Sequence, residues 1–270
     1  MAQLTVSGQL SLATVKAKAT EASRYTALRM GEVSVTGATN LGVDLTAKLT
    51  ISALDLNRAA ANESRLDWSR AFDLDGNGTY GEAADQLDPG QQLTTAKALP
   101  LNFKGNLQLR VRGQLTGTAA YTYDPDFAGT APEKTINNVF LTIGDDVRLS
   151  GAAQFVLVKR NLAVDTTGNG QADLPTAEVM SLGLRIVDAG VHVKDMAQLT
   201  VSGQLSLATV KAKATEASRY TALRMGEVSV TGATNLGVDL TAKLTISALD
   251  LNRAAANESR LDWSRAFDLD

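Results

Sequence analysis

Apolar residues fall on every second position over long stretches of this chain. The longest run extends from Leu101 to Tyr123, with Leu107, Leu109, Val111 and Leu115 in one set and Gln108, Arg110, Arg112 and Gln114 in the other. A period of two sends successive side chains to opposite faces of a strand, and no helix separates the sets this way. Unbroken, residues 101–123 would extend ~75 Å, beyond an ordinary strand. Gly105, Gly113 and Gly117 are therefore read as bulge or bend points. A second run alternates from Leu41 to Ala53. Shorter ones cover Leu4–Leu12, Val33–Val35, Val139–Ile143, Val147–Leu157, Leu182–Ile186 and Val191–Val193, the last running on into Leu199–Val201.

Residues 54–100 break the pattern. Ala59-Ala60-Ala61 and the spacing of Leu66, Arg70 and Asp73 allow a short helix, and Pro89-Gly90 demands a turn. This excursion holds Trp68 and is expected to fold over a sheet edge or face. The pattern thus predicts an all-β chain, with long antiparallel strands in a repeating β-sandwich or β-solenoid-like array. One loop or short-helix excursion interrupts each period.

The array is explicit in the letters. Residues 1–75 recur without change as residues 196–270, an offset of 195. Packing constraints do not hold exposed positions identical in two copies; recent duplication or homogenisation of the coding DNA does. Residues 1–195 are read as one full repeat and 196–270 as the start of the next, with arbitrary phase, because Met196 sits mid-chain in the context of Met1. A period of this length is long for a solenoid repeat of ~20–50 residues and sufficient for a unit with its own core. A glycine between alternating apolar residues recurs within the period, in Val6-Ser-Gly8-Gln-Leu10, Val111-Arg-Gly113-Gln-Leu115 and Leu149-Ser-Gly151-Ala-Ala153.

Composition narrows the function classes. Net charge is −3, charged residues make up 20% and there is no basic stripe, so nucleic acid is not an expected partner. No apolar run reaches the ~18 residues of a membrane helix. Cysteine is absent, which removes disulfides and thiolate metal sites. With His192 as the single histidine, thiol–imidazole catalysis is excluded. His192 alternates with Val191 and Val193 and is expected to face solvent. Arg110, Arg112, Arg148 and Arg185 read as solubilising charges on polar faces. Asp124/Asp126 and Asp145/Asp146 sit beside Pro or Gly in turn-like sequence, unlike a catalytic carboxylate pair. No enzyme activity is expected.

The sharpest chemical motif is Asp73-Leu74-Asp75-Gly76-Asn77-Gly78-Thr79. It sets side-chain oxygens of Asp73, Asp75 and Asn77 at loop positions 1, 3 and 5, a turn glycine at 6 and the Thr79 carbonyl at 7, spacing that wraps a hard cation such as Ca²⁺. The twelfth position is Ala84 where that pattern wants glutamate, so closure falls to Asp85 or Glu82. A second loop runs from Asp165 to Asp173. There Asp165, Asn169 and Asp173 offer side-chain oxygens and Gln171 a carbonyl. The competing reading of both loops is a plain Asn-Gly turn with polar trim. In either case the role is structural.

Leu149-Ser-Gly-Ala-Ala-Gln-Phe155 and Leu28-Arg-Met-Gly-Glu-Val-Ser-Val-Thr-Gly37, set in long identical periods with Asp/Asn/Gly loops, resemble giant tandem-repeat bacterial surface proteins of the kind carrying LEPR-XLL-type leaders. The resemblance is one of texture over most of the period and transfers no functional residue. It implies an adhesin or filament at the cell surface or outside the cell, whose partners are neighbouring identical repeats, in one chain or in a filament. The alternative it leaves is a module binding a glycan or a cell surface. That reading needs an exposed aromatic platform, for which Trp68 is the candidate.

Overall fold

The computed structural model describes residues 3–38, 43–95, 97–125, 127, 129–213, 216–235 and 239–267. Leu41, Asp126 and 268–270, on which the sequence reading drew, lie outside them. Eleven strands follow in chain order: β1 (Gln3–Val15), β2 (Tyr25–Ala38), β3 (Val43–Ala59), β4 (Leu107–Gly117), β5 (Ala119–Tyr123), β6 (Lys134–Ile143), β7 (Val147–Val164), β8 (Leu174–Val193), β9 (Ala197–Lys211), β10 (Tyr220–Asn235) and β11 (Asp239–Ala254). The expected antiparallel strands dominate the described residues, in a single layer and not in a two-sheet sandwich. They form one open sheet, ordered β1-β2-β3-β4-β7-β8-β9-β10-β11, with β6 against β3, β5 and β7.

The 101–123 run is not a single strand. Leu101 and Phe103 precede β4 in an irregular segment, and the chain leaves β4 at Gly117. There β4 and β6 meet end to end between β3 and β7: β4 pairs with residues 47–56 of β3, and β6 takes over at Val43–Leu45. The abutment is close, because a Cβ on Gly117 would stand 2.2 Å from the Asn138 carbonyl oxygen. Thr46 stitches the join, accepting the Thr118 amide at 2.9 Å and donating its hydroxyl to the Val139 carbonyl at 3.0 Å.

A line of β-bulges crosses the sheet. The register slips at Ser7/Gln9 between β1 and β2, at Ile51/Ala53 between β3 and β4, at Ser150/Ala152 between β7 and β8, and at Ile186/Ala189 between β8 and β9. Gly8 and Gly151, the centres of two of the recurring glycine motifs, share φ +152°. Glu32 and its copy Glu227 take φ +53° and +54° on the same line, a conformation that costs non-glycine residues energy. The slip explains why the apolar positions of β2 change parity from Leu28 and Met30 to Val33 and Val35. Gly113, partner of Ile51, borders the β3–β4 slip as expected, and it also leaves space for a neighbour. A Cβ there would meet the Phe155 ring at 2.8 Å, so its bareness makes room for that ring.

One face of the sheet is apolar. Register partners Leu10, Met30, Leu54, Val111, Leu157, Leu182, Leu207, Leu223 and Leu251 form a row across nine strands. The row enters the second copy at Leu207, the equivalent of Leu12 and not of Leu10, so pairing slides by two residues per period. The other face is polar and is roofed at one end by the segment between β3 and β4. Trp68, Leu101 and Phe103 of that segment bury Ala27 and Leu107. No helix forms at Ala59-Ala60-Ala61, because β3 continues through Ala59 in register with Tyr25. The helical element described is a 3-10 turn at Ala83–Asp85. In the second copy Leu261 and Ala266 roof a cluster of Val164, Ala177, Val179, Val210 and Tyr220, which reaches back onto β7 and β8.

Candidate functional site

Two acidic loops carry the candidate chemistry. The first follows the Trp68 cluster, where Phe72 packs against Trp68 at 5.7 Å between ring centroids and delivers the next residue, Asp73. Asp73 accepts the amides of Gly76, Asn77 and Gly78 at 2.8, 3.1 and 2.9 Å. Gly76 and Gly78, at φ +74° and +83°, turn those N–H groups inward, a conformation that glycine adopts without cost. The chain then makes the 3-10 turn and returns Asp85, buried, whose Oδ1 accepts the Leu74 amide at 2.8 Å. One carboxylate oxygen from each of Asp73, Asp75 and Asp85 lies within 4.8 Å of the other two.

Of the residues expected at this loop, the fold therefore brings together Asp73, Asp75 and Asp85. Asn77 turns its amide nitrogen toward them, donating to Asp75 at 3.0 Å and to Glu82 at 2.9 Å, while its oxygen accepts the Thr79 amide at 2.7 Å. Glu82 instead heads the 3-10 turn, its amide donating to Asp85 Oδ2 at 3.2 Å. Carboxylates held this close repel one another, and the loop's own amides are turned toward them.

The second loop joins β7 to β8 and repeats the same design. Asp165 accepts the amides of Thr167, Gly168 and Gly170 at 3.0, 2.7 and 2.6 Å. Gly168 and Gly170 have φ +75° and +85°, and Asn169 Oδ1 accepts the Gln171 amide at 2.8 Å. Asp173 closes the loop as Asp85 closes the first: its Oδ2 accepts the Thr166 amide at 2.8 Å. Sequence spacing concealed this equivalence, because the closing aspartate comes twelve residues after Asp73 but eight after Asp165. The shared signal is Asp-x-x-Gly-Asn-Gly. Thr167 stands where the first loop has Asp75, so the second loop gathers two carboxylates. Burial alone would push the Asp165 carboxyl up, but the amides of Gly170, Gly168 and Thr167 outweigh it and hold it below the ordinary carboxylate range. Asp165 also ties the copies together, its own amide donating to the Ala266 carbonyl at 3.0 Å.

Three polar residues depart from the sequence reading. Arg110 is not a free surface charge: its Nε donates to Asp55 at 2.7 Å, and Arg29 holds the other oxygen of that buried carboxylate at 2.6 Å. His192 is buried, not solvated. It lies under Tyr123, 5.1 Å between ring centroids, with its Nε2 3.2 Å from Ser150 Oγ. Burial pushes its pKa down, and its Nδ1 has no hydrogen-bond partner among the described residues. Arg148 stacks over Tyr121 at 4.3 Å. Alternation placed these residues on the polar face correctly; that the face is roofed there depends on chain segments distant in sequence.

No family model, curated protein or solved structure matches this chain.

Proposed function

We propose that this chain is a structural module of a long extracellular or cell-surface array, stiffened by Ca²⁺ at its acidic loops. The observation that carries the reading is the way one copy passes into the next. The boundary falls inside the hairpin turn 194–196, where the Met196 amide donates to the Val193 carbonyl at 3.1 Å. From there β8 pairs with β9 along its length, from Val193↔Ala197 to Glu178↔Lys211. Strands of consecutive copies thus belong to one sheet with no linker, and the junction shares a hydrophobic cluster. Such quasi-one-dimensional units draw stability from their neighbours. Cell-surface location rests on the resemblance to giant tandem-repeat bacterial surface proteins.

Cation binding fits the same role. A divalent ion at Asp73, Asp75 and Asp85 would neutralise the repulsion between them and fix the roofing segment that carries Trp68. A glycan-binding role is less well supported, because Trp68 is fully buried and Tyr121 is covered by Arg148 and Tyr123. Imaging of the native repeat protein at molecular resolution tests the array: a fibre with one axial repeat per period supports it, and separate globules overturn it.

A further inference from the structure

We infer that successive copies join edge to edge through main-chain hydrogen bonds, as one antiparallel ribbon whose axis runs across the strands and which advances six strand positions per period. The inference rests on the array reading and adds the geometry of its junctions.

β1 and β11 end the sheet among the described residues. Each has an identical counterpart inside it, β9 for β1 and β3 for β11, and the counterparts show what each outer edge is built to receive. β9 takes β8 along the edge that β1 leaves open, with Leu182 opposite Leu207 and Leu184 opposite Leu205. The same strand sequence fits β1 with Leu182 opposite Leu12 and Leu184 opposite Leu10. β3 takes β4, with Leu115 opposite Leu49 and Val111 opposite Leu54. Transferred to β11, those partners are Leu244 and Leu249.

Side chains at the open edge carry the matching vacancy. Asp55 is gripped by Arg29 and Arg110 and is 1% exposed as a side chain, whereas its copy Asp250 is paired with Arg224, the copy of Arg29, and is 57% exposed. The place opposite Asp250 is the one an arginine equivalent to Arg110 would occupy. Leu244, Leu249 and Leu251 are 59%, 49% and 50% exposed, while their counterparts in β3 are half-buried. Trp68 is fully buried, while Trp263 is only partly so. An unpaired strand with apolar and charged complements in fixed register is a template for strand addition. Six positions, β1 to β8 along the sheet path, at ~4.8 Å each give an advance of about 29 Å per period.

The test lengthens the chain by appending residues 76–195 after Asp270, making two full periods, and reads amide exchange together with solution scattering. In the ribbon, β11 amides slow to the rates of β3, and three more strand positions, the second copies of β4, β7 and β8, lengthen the particle by about 14 Å along one axis. A rod of two periods with β11 still exchanging as an edge overturns the junction but leaves the array. Two separate globules overturn both. Should the longer chain not fold, the existing junction decides: the original chain has no cysteine, and Ser181 pairs with Ala208. S181C with A208C then forms a disulfide on mild oxidation, and S181C with T200C does not. Absence of the first link overturns the inference.

Discussion

Trp68 of the roofing segment donates its indole N–H to Asn57 Oδ1 at 3.0 Å, with both side chains sealed from water between that segment and the sheet. Trp263 makes the same bond to Asn252 at 3.2 Å in the second copy, where the pair is partly exposed. The sequence is identical and the bond is identical; only the cover differs. N57A strands a buried donor and is expected to cost about 1–3 kcal/mol. N252A, whose indole can turn to water, costs less. Chemical denaturation of the two variants gives the comparison.

Asp55 offers a second test of the same contrast. Removing it leaves Arg29 and Arg110 facing each other across a covered site, and breaking a buried pair in this way costs about 3–5 kcal/mol. D55A is therefore strongly destabilising, whereas D250A at the open edge has little effect. Equal midpoints in urea for both variants would contradict the roofed arrangement of the first copy.

Gly117 sits where two strands meet end to end, and an added Cβ has only the backbone of Asn138 and Val139 to displace. Overpacking of this kind costs about 1–3 kcal/mol. G117A is expected to lower the melting temperature and to speed amide exchange in β6 more than in β10. G129A, with open space around it but φ +66°, leaves β6 exchange unchanged.

Ca²⁺ is expected to raise the melting temperature and EDTA to lower it. At a hundredfold excess over Kd the gain is about 2.7 kcal/mol per site. D85N removes a closing carboxylate buried in the first loop and is expected to abolish that loop's share of the shift, leaving the share of the second. A melting temperature indifferent to both Ca²⁺ and EDTA rules the cation out.

His192 makes stability depend on pH. Burial holds its folded-state pKa below the ~6.5 of a solvated imidazole, so the unfolded chain binds the proton more readily. Stability is full above ~6.5 and falls as pH drops from there toward the folded value, because ∂ΔG/∂pH is positive wherever the unfolded state holds more protons. H192Q flattens this part of the profile. A wild-type profile already flat between pH 7 and 5 would place the imidazole in solvent.

Much of the molecule is local and was therefore legible in the letters. Alternation marked the strands, whereas the bulge that changes parity between Met30 and Val33 emerged only once β1 and β2 were paired. The turn chemistry of Asp73 and Asp165 is written within six residues, because neighbouring amides satisfy those carboxylates. The repeat, an identity over 75 residues, needed no structure at all.

What the tertiary structure decided is which residues face one another across long loops. A polar side chain on an alternating strand reads the same whether its face is open or roofed, so the burial of Asp55, Asn57 and His192 was invisible until the covering segments took their places. Nor could spacing reveal that Asp85 and Asp173 perform one task, since a 3-10 turn lengthens one loop and not the other. Identical copies make the distinction plain: local preferences travel with the sequence, whereas burial and ion pairing belong to whatever lies alongside.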